Sequence, residues 1–180
     1  ISMPTHGMIT NIGKAHLEGF GGIEGVRIGK GELYDFLAAT GGTVFVNAND
    51  WVLMAMHAER SGFGETVLYL ENNLPELVQE SPVAVYRDSD GNEVTTHLPG
   101  RYNFENMAAA LAIGQYFGVS ATEANRAVAD YNPTNNRSQV VKRGTNTILL
   151  DAYNANPSSM AAAIRQFAAQ PAQRKLLIVG

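Results

Sequence analysis

Apolar positions along the chain alternate between short runs that suit strands and spaced stripes that suit helices. Residues 8–12 (MITNI) read as a buried strand, and a glycine-rich loop follows at 13–22. From residue 23 to about 39 the apolar positions recur at helical spacing, and 43–47 (TVFVN) returns to strand. A helix is predicted over 50–60, carrying Trp51, and a third strand over 67–70. Residues 82–87 and 93–98 flank DSDGN at 88–92, the signature of an antiparallel hairpin. Two helices come next. One runs over 103–117 and stops at Gly118, a residue suited to a left-handed cap. The other starts at Ser120, with Glu123 three residues on as a capping box. NPTNN at 132–136 breaks the pattern. Beyond it lie a strand pair at 139–142 and 147–150, a helix over 157–169 and a last buried strand at 176–179. The fold class is α/β: a parallel sheet with helices and a small antiparallel hairpin, divided into residues 1–134 and 135–180.

The segment around Asp151 carries the first chemical signal. An apolar run at 148–150 ends in this carboxylate, crosses a short polar loop and re-enters a helix at Asn156 and Pro157. Asparagine caps helices well, and proline suits the first helical position because the amide it lacks would be unpaired there. In open α/β sheets ligands gather at the carboxyl ends of such strands. A second signal sits in the helix from residue 23. Its stripe is Ile23, Val26, Leu33 and Leu37, and the remaining position of that stripe is Lys30. A lysine facing an apolar side is either desolvated, which frees its amine for Schiff-base or carbamate chemistry, or runs its stem along the apolar edge to water. His16, in the loop ahead of that helix, is a candidate metal ligand or acid–base group, or a surface histidine. Asn103 and Asn106 place two carboxamides three residues apart at a helix start. An amide offers donor and acceptor together and can read an adenine edge. Helix capping would account for Asn103 and leaves Asn106 without a reason. The glycine loops do not qualify as nucleotide loops. Residues 24–31 have Glu24 and Gly31 where GxxxxGK[ST] needs glycine and a hydroxyl, and GFG at 19–21 lacks the third glycine of a dinucleotide fingerprint.

Composition narrows the partners. A net charge of -4 gives no basic footprint for nucleic acid, and the absence of cysteine removes disulfides, thiolate catalysis and zinc–thiolate sites. No apolar run approaches the roughly 18 residues of a membrane span. The opening ISMPTHGMIT has neither a basic n-region nor an h-region, and a cytoplasmic location fits best. Both ends read as cut, so the expectation is an internal piece of a longer polypeptide. Apolar strand edges exposed by those ends would favour self-association of the isolated piece.

The motifs resemble a known family, the Mur ligases, and within it the branch that adds D-alanyl-D-alanine to UDP-N-acetylmuramoyl-tripeptide. The matching segments are TNIGKAHLEGFG at 10–21, KGE at 30–32, GRYNFEN at 100–106, NRS at 136–138 and DAYNANPSSM at 151–160, in family order across nearly the whole chain. Sister ligases usually carry aspartate before the metal-binding histidine. Ala15 here, followed by LEGFG, looks like the D-alanyl-D-alanine branch. The resemblance implies three domains: one for the UDP-sugar, a central P-loop-type ATP-binding domain, and a Rossmann-like C-terminal domain. Residues 1–134 would be the later part of the second, and 135–180 the start of the third. It also implies roles: His16 and Lys30, the latter as a carbamate, for Mg²⁺; Asn103, Asn106, Arg137 and Asp151 for ATP. Tyr153 and Asn154 are candidates for touching substrate.

The implied chemistry is ATP-dependent amide formation through an acyl phosphate, with UDP-N-acetylmuramoyl-tripeptide and D-alanyl-D-alanine as small-molecule substrates. The family's phosphate loop and an acidic metal ligand belong upstream of Ile1, so the 180-residue piece is expected not to turn over ATP by itself. Two other readings stay open: a superfamily member with a different acceptor, and a non-catalytic adenine-binding module.

Overall fold

A computed structural model describes residues 2–14, 17–153, 155 and 157–179. Its first layer is a parallel sheet of β1 (His6–Met8), β2 (Thr43–Asn47) and β3 (Glu65–Tyr69), in that spatial order. The register pairs Gly7 with Val44 and Phe45 with Val67. All five residues of β2 are buried, as the continuous apolar run of a central parallel strand requires. A one-turn helix α1 (Leu17–Phe20) and a long helix α2 (Ile23–Thr40) connect β1 to β2, and α3 (Trp51–Ala58) connects β2 to β3. Gly41 ends α2 at φ 67, a left-handed cap that returns its amide to the Leu37 carbonyl. Asp50 caps α3, its carboxylate accepting from the amides of Val52 and Leu53.

Helices cover both faces of this sheet. On one, Tyr34 and Leu37 of α2 and Leu53 and Met56 of α3 pack on Val44 and Val46. On the other, Phe45 meets Tyr116 edge-on at 5.2 Å between centroids. Tyr116 belongs to α4 (Arg101–Tyr116), which pairs with α5 (Ala121–Asp130). Gly118 turns the chain between them at φ 87, and Ser120 and Glu123 form the capping box read from the sequence. Between β3 and α4 lies a small antiparallel sheet of β4 (Glu76–Gln79), β5 (Val85–Arg87) and β6 (Glu93–Thr95). Its 88–92 turn closes on the Asp88 carboxylate, which accepts from the amides of Asp90 and Asn92. After a stretch without regular structure, β7 (Gln139–Arg143) and β8 (Asn146–Leu150) form a hairpin, and α6 (Pro157–Ala169) follows.

Four expectations change. The first strand is His6–Met8, not 8–12: its ladder with β2 ends at the Met8–Phe45 pair, and the chain then leaves the sheet although Ile9 stays buried. The loop predicted over 13–22 contains α1. β4 was not foreseen: its four residues fall between an asparagine-rich turn and a proline, too short for a clear alternation. Residues 176–179 form no strand, and Leu176 and Ile178 are exposed. A run of this kind becomes strand only by pairing, and β7 and β8 pair only with each other.

Candidate functional site

Lys30 lies in α2, but not in the centre of its buried face. That line runs through Val26, Gly31, Tyr34 and Leu37, while Ile23, placed on the apolar stripe from spacing, is 47% exposed. The face is rotated by about one position because Gly31 lets α2 close on α3. A Cβ at residue 31 would lie 2.9 Å from Arg60 Nη2 and 3.5 Å from Met56 Cε. Lys30 therefore flanks the core half-buried, and its Nζ donates to the main-chain carbonyl of Asn11 at 2.8 Å. It is not sealed in the core. His16 and Asn154 lie outside the described residues, as does Asn156, the capping residue expected ahead of Pro157. No group of three His, Cys, Asp or Glu able to hold a metal occurs among the described residues. One amine and one main-chain carbonyl do not make a shell for a hard divalent cation.

The carboxyl ends of β2 and β3 are polar but largely self-satisfied. Asn47 accepts from the Asn49 amide at 2.9 Å, and the Ala48 amide donates to the Tyr69 carbonyl at 2.9 Å. Burial pushes the Tyr69 phenol up to about 12, with the carboxylates of Glu105 and Asp50 adding to the effect. Trp51, at the start of α3, is 80% exposed.

The start of α4 separates the two asparagines. Gly100 is the N-cap at φ 87, so Asn103 is in the first turn and does not cap the helix. Its side chain is buried and donates twice, to the Pro99 carbonyl at 2.7 Å and to Ser138 Oγ at 3.1 Å. Both amide hydrogens are thus committed, and only its carbonyl oxygen is left for another partner. Asn106 is exposed, and its side chain has no hydrogen-bond partner among the described residues. It lies on the rim of an apolar groove of about 430 Å³ between α4 and α5, lined by Leu98, Met107, Ala110, Val128 and Tyr131 among others.

Asn103 leads instead to the stretch between α5 and β7. Ser138 is 2% exposed and is hydrogen-bonded through its hydroxyl to Tyr102 as well as to Asn103. Its main-chain N–H donates to Asp151 Oδ1 at 3.4 Å. Two residues before it, the Asn136 carbonyl accepts from the Ala152 amide at 2.8 Å. Between them Arg137 lays its guanidinium over the Tyr153 ring, 3.7 Å from the centroid. Burial, with the Asp151 carboxylate adding, holds the Tyr102 phenol above its ordinary range against the pull of its bond to Ser138, so it stays protonated at neutral pH. Asn103, Arg137, Asp151 and Tyr153 are joined in this way into one array, with Asn106 around the helix and Lys30 in a separate place. Ser138 and Tyr102 are the members that sequence reasoning did not single out as site residues. The advance signals were the NRS triplet, a serine directly after the candidate arginine, and for Tyr102 the GRYNFEN segment.

Comparison with known proteins places these residues in context. Residues 1–114 match the family model of the Mur ligase middle domain. The UDP-N-acetylmuramoyl-tripeptide–D-alanyl-D-alanine ligase of Escherichia coli (strain K12) is 29% identical over 99% of the chain, and its Bacillus subtilis (strain 168) counterpart is 30% identical over 92%. The chain spans 41% and 36% of the length of these two relatives. Among solved structures, MurF from Acinetobacter baumannii superposes with a TM-score of 0.73 at 26% identity, over 94% of this chain and 38% of that one. MurF ligase from Thermotoga maritima, solved in complex with ADP, also gives 0.73, at 21% identity over 93% of this chain and 40% of that one, a likeness of fold.

Proposed function

Starting from a chain that belongs to the Mur ligase family, with residues 1–114 in that family's middle domain, we propose that the parent protein joins D-alanyl-D-alanine to UDP-N-acetylmuramoyl-tripeptide at the expense of ATP. The observation that carries the nucleotide part is the polar array at the start of α4: a buried Asn103 bonded to Ser138, which in turn holds Asp151. In this reading residues 1–134 end the ATP-binding domain and 135–180 begin the acceptor domain. The nucleotide lies along their junction.

Each group then has a task that its surroundings allow. The exposed Asn106 amide, unpaired, offers donor and acceptor to the adenine edge, and Asn103 can contribute only its carbonyl oxygen. Asp151 uses Oδ1 on Ser138 and keeps Oδ2 for the ribose hydroxyls. Arg137, held loosely by stacking on Tyr153, swings to the phosphates as charge develops there. Lys30, as a carbamate, and His16 are the candidates for holding magnesium, whose positive charge would offset repulsion between carboxylate and phosphate. In the reaction itself the tripeptide's terminal carboxylate oxygen attacks the γ-phosphorus and ADP leaves, giving an acyl phosphate. The free amine of D-alanyl-D-alanine attacks the acyl carbon, loses a proton, and phosphate leaves as the amide forms. The location proposed is the cytoplasm, where ATP is available. Among the described residues no helix is long and apolar enough to cross a membrane.

The test is ADP release by the full-length protein in a coupled assay. Release that requires both the UDP-tripeptide and D-alanyl-D-alanine is the expected outcome, with at least a ten-fold loss in kcat/KM for Asn106→Ala. Release with another amino compound in place of D-alanyl-D-alanine would reassign the acceptor. No ADP release with any acceptor, despite ADP binding, would leave an adenine-binding module.

A further inference from the structure

Ser138 is the least exposed residue in the stretch between α5 and β7, at 2%, although Arg137 before it is exposed and Gln139 after it is only half-buried. Its backbone is in the left-handed region at φ 50, where glycine and asparagine are the usual residues and serine is uncommon. Asn136, two residues earlier, is also left-handed at φ 56, but it is exposed and of a type that tolerates the conformation. A strained, buried serine persists only where its surroundings over-determine it. Here they do. The hydroxyl meets Tyr102 and Asn103 of α4, and the main-chain N–H meets Asp151 at the end of β8. The left-handed turn is what allows this division. It sends the side chain toward α4 while the amide of the same residue faces β8.

We propose that Ser138 is a positioning residue of the nucleotide site, one buried residue that sets the Asn103 amide on one side of the junction and the Asp151 carboxylate on the other. This rests on the nucleotide reading given above and adds to it a mechanical link between the groups assigned to base and ribose. Three consequences follow from the bonding. Asn103 is held in one amide orientation, because Pro99 and Ser138 take both of its hydrogens. Asp151 is held by one oxygen and presents the other. A disturbance at either end passes through a single residue to the other, so Asn103 and Asp151 are energetically coupled although no direct hydrogen bond joins them.

The experiment uses the full-length protein with ADP as the probe, measured by titration calorimetry, together with KM for ATP and kcat. Ser138→Ala removes the hydroxyl and keeps the strain. Ser138→Gly removes the hydroxyl and relieves the strain, and so stays available where the alanine variant folds poorly. Both are expected to weaken ADP binding by about ten-fold, on the scale of a lost buried hydrogen bond, and to raise KM for ATP more than they lower kcat. The decisive readout is a double-mutant cycle of Asn103→Ala and Asp151→Asn on ADP affinity. With serine at 138 the two effects should be non-additive by at least three-fold, and with glycine at 138 they should become additive. A purely structural serine would lower thermal stability without changing that coupling. Unchanged ADP affinity in both variants, or coupling that survives in the glycine background, overturns the proposal. Failure of the unsubstituted protein to bind ADP overturns the nucleotide reading itself, and the link with it.

Discussion

The parallel sheet and the junction after α5 are held together in opposite ways. Around β2, every strand residue is buried and the helices on one face pack through Tyr34, Leu37, Leu53 and Met56, all at 0–1% exposure. In the junction only Ser138 and Pro133 are buried, Arg137 and Tyr153 stack in the open, and the order comes from a few directional bonds. The first arrangement resists change by volume and tolerates loss of any single polar contact. On the proposal made above, the second depends on one hydroxyl. The ligase activity proposed above would use both: a frame that does not move, and a stretch after α5 whose polar groups can be set and released.

The largest effect that separates the two regions is expected in the frame. Leu37→Ala should cost about 2–5 kcal/mol of unfolding free energy, read from urea denaturation, because a 0%-exposed side chain leaves a cavity between α2 and the sheet. ADP affinity of whatever remains folded should be unchanged, and a large loss of affinity at fixed stability would erase the distinction. Next is Gly100→Ala, at the point where the regions meet. Gly100 has φ 87 and ψ 153, and an added Cβ would lie 3.4 Å from Gln166 Oε1 of α6. The backbone strain alone should cost about 1–3 kcal/mol, and both thermal stability and ADP affinity should fall together.

The two asparagines sharpen the contrast further. Asn103→Ala leaves the Pro99 carbonyl and the Ser138 hydroxyl short of a partner and should cost about 1–3 kcal/mol by denaturation. Asn106→Ala, at an exposed position, should stay within about 0.5 kcal/mol while still weakening ADP. An effect with no consequence for ADP lies away from both regions, at the cap of α5. Ser120→Ala should cost about 1 kcal/mol. The Ser120 hydroxyl and amide hold the Glu123 carboxyl below its ordinary value of 4.5. A depressed carboxyl stabilises above its unfolded pKa, and that contribution is lost as pH falls through the folded value. The stability difference between Glu123→Gln and the natural sequence should therefore be present at neutral pH and vanish in acid, measured by thermal melts across pH 7 to 2.

What could be read from the residues divides along the same line. Where side-chain periodicity sets the structure, reading worked: β2, α6 and the α5 capping box stand where the pattern put them. It worked less well where pairing decides. The 8–12 run shifted to His6–Met8 because β2 fixes where the ladder stops, and 176–179 stayed unpaired because, among the described residues, no strand lies beside it. The stripe on α2 turned by one position for a packing reason, a glycine at 31 that no hydrophobicity count weighs. In the site, residue types announced Asn103 and Asp151 as polar groups in unusual places, and Arg137 came only with the family resemblance. Ser138 was hidden because a serine after asparagines reads as an ordinary turn residue, and its part depends on a backbone conformation and on partners 35 and 13 positions away.

The central position of β2 has a consequence in time as well as in space. Its main chain is paired on both edges, to β1 and to β3, and it exposes no residue to water. Its amides can meet solvent deuterium only when the sheet itself comes apart, so Val44 and Val46 should be the slowest clocks in the molecule, reporting global opening. The amide of Ser138, shielded by a single long bond to an exposed carboxylate, should exchange far sooner, and a bound nucleotide should slow it.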